Sequence, residues 1–274
     1  MALLMPVIIL TGFFLMEHYL DGWLQTAVTP GIKELTLELC HRGKIKYNIP
    51  CSLLSDGQLC CLEVSDCWKL RVIASKARNL VRFILEGVSV KRLSLGETLQ
   101  MKKLSLQRAN LVCHARTELP SSMPNLETLT ISSHYERVNT PVLPTRFVFL
   151  KHLEISLVAG WTFCPSYDYF SLVSFLDVSP YLENWLLNVS QEKYEASIGV
   201  EGSSQLRWMP EHLHGCLKSV KFKGFSSAKG LVELTCYILK NAKSLDRSPY
   251  TGHHLWLALK SLLCTQTALQ RRSN

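Results

Sequence analysis

The chain is short of charge for its length, with 19% charged against 47% hydrophobic residues in 274, and it lacks any run of five or six basic side chains. Its formal charge of +8, from 30 Lys+Arg against 22 Asp+Glu, is therefore spread out, and charge alone selects neither nucleic acid nor an acidic partner. No phosphate-cradling glycine loop, nucleophile elbow or metalloprotease helix motif is present. Cys60-Cys61 with Cys67, and Cys113-His114, do not repeat as the paired knuckles of a structural zinc site, and His253-His254 stands apart from them. We expect no enzyme, no cofactor and no metal. Nor is there an apolar stretch of about 20 residues, the length a membrane-spanning helix needs. Met1 to Met16 carries no charge, but it lacks the basic start and small-residue cleavage site of a secretory signal, so it is expected to be a buried first structural unit. A targeting segment of a secreted or membrane-associated protein is the alternative, and occupancy of the Asn188-Val189-Ser190 sequon would accompany it. Ten cysteines sit partly inside apolar segments of a chain long enough to need no staples, which points to free thiols and a cytoplasmic or nuclear protein.

What is present is a repeat. The phrase apolar-x-x-apolar-x-apolar begins at Ile32, Leu59, Leu80, Met101, Leu126, Leu150, Leu182 and Leu217. Its second apolar residue falls at Leu35, Leu62, Phe83, Leu104, Leu129, Leu153, Trp185 and Val220, at intervals of 27, 21, 21, 25, 24, 32 and 35 residues. Most of these intervals lie in the window of leucine-rich repeats, roughly 20 to 29 residues. The last two apolar positions, two apart, share one face of a short strand, and the first anchors the turn that leads in. One such rung cannot bury its face, and stacking the rungs in parallel makes a shared inner wall. The expected fold is thus α/β, a leucine-rich-repeat solenoid with a parallel-strand horseshoe. Leu59 to Cys67 extends the phrase by a thiol that turns the chain off the strand.

Stacking leaves the alternate residues on the concave face. The two columns between and after the inward positions contain Glu38, Glu63, Glu86, Gln107, Thr130, Glu154, Asn188, Lys221 and Lys223, the candidate partner-binding residues. Read this way the column is acidic to polar, with no Lys or Arg before Lys221, so phosphates would be repelled and the excess positive charge is expected on the edges and convex side. Arg82 and Lys103, each one place before an inward residue, form a small basic edge.

Between strands, Tyr169 to Val178 and Ala228 to Asn241 have helical spacing, the latter with Leu231, Leu234, Ile238 and Leu239 on one stripe. The proline-bearing Glu118 to Asn125 and Asn139 to Thr145 read as extended connectors, and Ser190 to Gly215 as a mobile or surface-lying loop. The organisation is then an apolar, degraded or capping unit at 1–30, repeats over 31–189, a polar loop at 190–215, a strand-turn-helix region at 216–246 and an atypical tail at 247–274.

Several segments carry a family resemblance: Tyr19-Leu20-Asp21-Gly22-Trp23-Leu24, Gly31 to Leu37, Tyr47 to Leu54, Leu119 to Glu127 and Tyr169 to Val173. To these add His214-Gly215-Cys216-Leu217-Lys218-Ser219-Val220-Lys221-Phe222-Lys223-Gly224-Phe225, with Leu231 to Leu234 and Leu239 to Leu245. Over residues 17 to 246 the chain resembles the plant proteins that follow an F-box with leucine-rich repeats and close with an FBD domain. No F-box precedes the repeats here, Gly57 to Leu62 reaches a late-looking repeat abruptly, and Asp246 to Tyr250 stands where a closing strand is expected. The chain is thus expected to be a truncated or alternatively spliced member. The resemblance implies the substrate-recognition part of a ubiquitin-ligase receptor, binding another protein on its concave face, without a Skp-type adaptor, nucleic acid or membrane as partners.

Overall fold

The computed structural model describes residues 7–11, 32–38, 47–49, 58–67, 70–87, 90, 92–95, 98–134, 136, 139–158, 167–190, 207, 211–224 and 229–245. Each of the eight repeat phrases ends in a strand: β2 Glu34–Glu38, β4 Cys61–Ser65, β6 Arg82–Glu86, β8 Lys103–Ala109, β9 Thr128–His134, β10 His152–Val158, β11 Asn184–Ser190 and β12 Ser219–Lys223. The apolar start adds β1, Val7–Thr11, which pairs in parallel with β2 and places Ile8 opposite Leu35. These nine strands make one parallel sheet in the order β1-β2-β4-β6-β8-β9-β10-β11-β12. A second parallel sheet, absent from the sequence reading, joins β3 Tyr47–Ile49, β5 Leu70–Ala74 and β7 Arg92–Ser94 in the return connections of the early repeats.

Alternation fixes the core. Leu35, Leu62, Phe83, Leu104, Leu129, Leu153, Trp185 and Val220 stand in one register line, and Leu37, Val64, Leu85, Leu106, Ile131, Ile155 and Leu187 in the next, all buried. Each such side chain withdraws apolar surface worth about 1.5–3 kcal/mol. Leu70 and Ile73 of the second sheet join the same cluster from the return side. A one-residue slip of any rung would turn its leucines to water, so the register is strongly specified.

Two devices repeat along the stack. Ahead of each strand, the carbonyls of Lys33, Cys60, Val81, Lys102, Glu127, Lys151 and Glu183 each accept two successive N–H groups from the next rung, at 2.8–3.1 Å. Just past four strands the chain leaves through a left-handed residue: Asp66, Gly87, Asn110 and Gly224, with φ of 52°, 60°, 51° and 70°. Aspartate, glycine and asparagine are the residues that tolerate this region at least cost. The expected thiol turn is shared accordingly: Asp66 makes the turn, and buried Cys67 donates its Sγ–H to the Leu37 carbonyl at 3.6 Å.

The later connections are helical. α1, Leu111–Ser122, corrects the reading of Glu118 to Asn125 as extended, because the helix runs through Pro120. Leu111, Val112, Ala115 and Leu119 bury one side of it, and this packing outweighs the single intrahelical N–H that proline removes. Its first turn is held by Glu136, which accepts from the N–H groups of Val112 (3.1 Å) and Cys113 (3.3 Å) and from the Ser133 hydroxyl, while Leu111 N–H donates to Ser133 Oγ at 2.9 Å. A carboxylate there satisfies orphan donors and complements the helix dipole. Glu136→Ala is expected to cost about 1–2 kcal/mol in urea unfolding.

Asn139 to Thr145 is irregular as expected, and is tied to α1 by fully buried Arg116, which donates to Thr145 Oγ1 (3.2 Å) and the Leu143 carbonyl. A 3₁₀ turn, Tyr169–Leu172, leads into α2, Val173–Asp177, and α3, Lys229–Asn241, follows β12 with Leu231, Leu234 and Ile238 buried as its periodicity requires. Of the expected loop at Ser190 to Gly215 only a few residues are described. Ser190 closes β11 and His214 is buried, while 191–206 and 208–210 lie outside the described residues, as do Asp246 to Asn274.

Candidate functional site

The alternate residues of the nine strands form the open face of the large sheet. From Glu34 to Lys223 every side chain there is exposed or half-buried except Cys61, which is buried. All nine sequence-predicted residues lie on this face. Thr36, Glu63, Ile84, Ser105, Thr130, Glu154, Leu186 and Lys221 fill one register row. Gln107, Ser132, Ser156, Asn188 and Lys223 continue the next row, at whose far end Glu38 pairs with Ser65 and Ser65 with Glu86.

A third row was missed because the sequence reading counted only positions between and after the inward pair. It runs Glu34, Cys61, Arg82, Lys103, Thr128, His152, Asn184 and Ser219. This row changes the electrostatics. Arg82 and Lys103 belong to the open face rather than to an edge, and Arg82 Nη2 lies 3.5 Å from Glu63 Oε2. The face is therefore not uniformly acidic before Lys221. It grades from Glu34, Glu38 and Glu63 on β2 and β4 to Lys221 and Lys223 on β12.

The real edge carries alternating charge. Lys102, Glu127, Lys151, Glu183 and Lys218 occupy the same position on five consecutive rungs, with Lys102–Glu127 at 2.9 Å and Lys218–Glu183 at 2.8 Å. These hydrogen bonds hold the carboxyls of Glu127 and Glu183 below the usual range, with Lys151 adding to both. Such exposed pairs contribute little stability, because solvent screens both charges.

Not all face residues are brought together. Over β9 to β12 the face sinks into a depression of about 260 Å³, where Thr130, Glu154 and Lys221 meet His152, Asn184 and Leu186. Asn184 Nδ2 and His152 Nδ1 are 3.1 Å apart. Glu63 lies on β4, four strands from β10, or about 19 Å at ordinary strand spacing. Glu86 instead accepts from the Ser105 hydroxyl (3.1 Å), and Gln107 receives the Gly87 N–H at its Oε1 (2.9 Å) and sets its Nε2 3.0 Å from His134 Nε2.

Two clusters at the C-terminal end escaped the sequence reading, since the side chains that bond in them lie 23 to 60 residues apart. In one, Tyr237 hydroxyl donates to Asp177 Oδ1 at 2.6 Å, His214 Nε2 lies 3.1 Å from that hydroxyl, and His212 Nδ1 lies 3.1 Å from Asp177. Burial holds the His214 pKa below its ordinary value and His212 adds to this, against the pull of Asp177. The unfolded chain then binds more protons, so this stability is present above about pH 6.5 and declines as pH falls through the folded value. His214→Gln is expected to flatten the slope of melting temperature against pH in that window.

The other cluster is Arg207, which pairs with Asp168 and buried Glu233 and stacks over Phe170 at 4.6 Å. Its guanidinium is pushed above the ordinary value, and Asp168 is held below its own, mainly by that hydrogen bonding. Both clusters tie α3 to the Asp168–Asp177 connection.

Six cysteines among the described residues are free thiols, and burial raises Cys61, Cys113 and Cys236, the last to about 11, so these thiols stay protonated at neutral pH. Among the described residues, no group of three His, Cys, Asp or Glu side chains is placed to hold a metal, and no helix is long and apolar enough to cross a membrane.

Parallel rungs in phase, a shared leucine spine and helices or short strands on the return side define a leucine-rich-repeat protein of α/β repeat type. The At1g61320/AtMIF1 LRR domain family matches residues 10–59 and 57–248, and the chain belongs to that plant family. No curated protein and no solved structure matches it. Leucine-rich-repeat domains generally bind other proteins, so the class defines a protein-interaction module.

Proposed function

We propose that the chain is a protein-recognition module of the kind found in F-box ubiquitin-ligase receptors, with the open, concave face of the large sheet as its binding surface and the region 216–246 as an FBD-like unit. The observation that carries this is the accessible face from Glu34 to Lys223, interrupted only by buried Cys61 and backed by a wall of buried apolar side chains. Preorganised, half-buried polar side chains lose little conformational entropy when a partner covers them, which favours binding over chemistry. The partner is another protein. Nucleic acid is disfavoured because Glu38, Glu63 and Glu154 stand in the face, and neither membrane nor a Skp-type adaptor is part of the reading. Free thiols and the repeat class fit a cytoplasmic or nuclear protein that needs no cofactor.

Capture of binding proteins by three forms of the chain tests this. Ser105→Arg with Ser132→Arg places two long cations in the middle of the face, and Lys76→Glu alters a return connection. The first is expected to lose the wild-type binders by tenfold or more while melting like wild type, and the second to keep them. The opposite pattern would refute the reading, and recovery of a Skp-type adaptor by all three forms would overturn its adaptor-free half.

A further inference from the structure

The charges of the open face are not equal in their partners. Glu63 is paired with Arg82, and along the edge Glu127 with Lys102 and Glu183 with Lys218. In the depression over β9 to β12, by contrast, neither Glu154 nor Lys221 has an ion-pair partner among the described residues. The two sit in the same register row with Leu186 between them, on β10 and β12, hence about 10 Å apart at ordinary strand spacing. The half-buried carboxylate and the exposed ammonium make no ion pair with each other, yet both border one concavity with Leu186 between them.

We propose that this depression is the specificity pocket of the module and takes a peptide segment of the partner in the polyproline II conformation, carrying a basic side chain and a carboxylate side chain three residues apart. The proposal rests on the open-face reading above and adds the chemistry of what is read. A polyproline II chain has three residues per turn and advances about 3.1 Å per residue, so side chains at positions i and i+3 share one face about 9 Å apart, close to the Glu154–Lys221 strand interval. The basic group sits on Glu154, the carboxylate on Lys221 with Lys223 behind it, and the two intervening residues cross Leu186. The His152–Asn184 pair offers ring and amide groups to the peptide backbone. A purely acidic or purely basic segment meets one like charge here, and that repulsion provides discrimination.

The probe is the capped tetrapeptide acetyl-Lys-Ala-Ala-Asp-amide, titrated into the full chain at low ionic strength by heteronuclear NMR, beside its Lys→Gln and Asp→Asn forms. Binding near a Kd of about 1 mM is expected, with shift changes confined to β9–β12. Neutralising the peptide lysine is expected to weaken binding about 3- to 10-fold on wild type and not at all on Glu154→Gln, and the peptide aspartate is expected to behave likewise toward Lys221→Gln. Equal weakening on wild type and Glu154→Gln would overturn the assignment, as would binding elsewhere on the chain. If the peptide fails while Ser105→Arg/Ser132→Arg still abolishes partner capture, the depression proposal alone falls. If both fail, the open-face reading falls with it.

Discussion

Gly224→Ala is expected to cost about 3–5 kcal/mol, the largest single effect available at the surface of this fold. Gly224 leaves β12 at φ 70°, where an L side chain is strained, and a Cβ there would come within 1.8 Å of the Val189 carbonyl oxygen. Neither half of that clash can relax cheaply, since Val189 belongs to β11, the neighbouring rung. The strain of the left-handed region adds roughly 1–2 kcal/mol to the displacement of backbone. For a chain of this size a loss of that order lowers the melting temperature by about 10 °C. Gly215→Ala is the control. A Cβ at Gly215 meets nothing within 4 Å, and its melting temperature is expected to stay within about a degree of wild type.

Arg207→Ala is expected to have the second largest effect, about 2–3 kcal/mol, because it leaves buried Glu233 with only the Lys229 ammonium, 4.0 Å away, as a charge partner. In the native chain Arg207 donates through Nε to Glu233 Oε2 at 2.7 Å and through its terminal nitrogens to Asp168 at 2.6 and 2.7 Å, and its backbone N–H reaches Glu233 Oε1 at 3.0 Å. Glu233→Gln with Arg207 intact leaves a neutral acceptor and is expected to lose less than half as much in urea unfolding. The pH dependence carries the sign of a depressed carboxyl. Asp168 contributes stability above about pH 4, where the unfolded chain is ionised, and loses it as pH falls through its lower folded value. Arg207→Ala is expected to remove that acid-dependent component, so its stability loss against wild type should shrink below pH 4.

The strands were legible because an inward pair two residues apart, preceded three residues earlier by an anchor, is a local pattern that one rung of a parallel stack requires. All eight phrases end in strands with the inward residues buried, save half-buried Phe222, and α3 follows from the spacing of Leu231, Leu234 and Ile238. The second sheet was not legible, because Tyr47–Ile49 and Arg92–Ser94 are three-residue strands whose pairing exists only once the rungs have stacked. α1 was concealed by Pro120, which local propensity penalises and burial of Leu111, Val112, Ala115 and Leu119 overrides.

The site was half legible. Strand alternation put Glu38 through Lys223 on one face, but counting two columns rather than three hid Arg82, Lys103 and His152 from it. Which of these side chains converge depends on where the sheet sinks, and that is set by packing beneath it rather than by any phrase of the sequence. Arg207 left no local signal at all, since its partners lie 39 and 26 residues away.

The central claim is that partners meet this chain on the open face of a single parallel stack. A photo-crosslinking amino acid placed in turn at Gln107, Ser132 and Ser156 on the face, and at Lys76 and Lys243 off it, tests that claim directly once a binding protein is captured. The expected result is covalent partner adducts from the three face positions and none from the other two. Adducts formed from Lys76 or Lys243 with the face positions silent would contradict it.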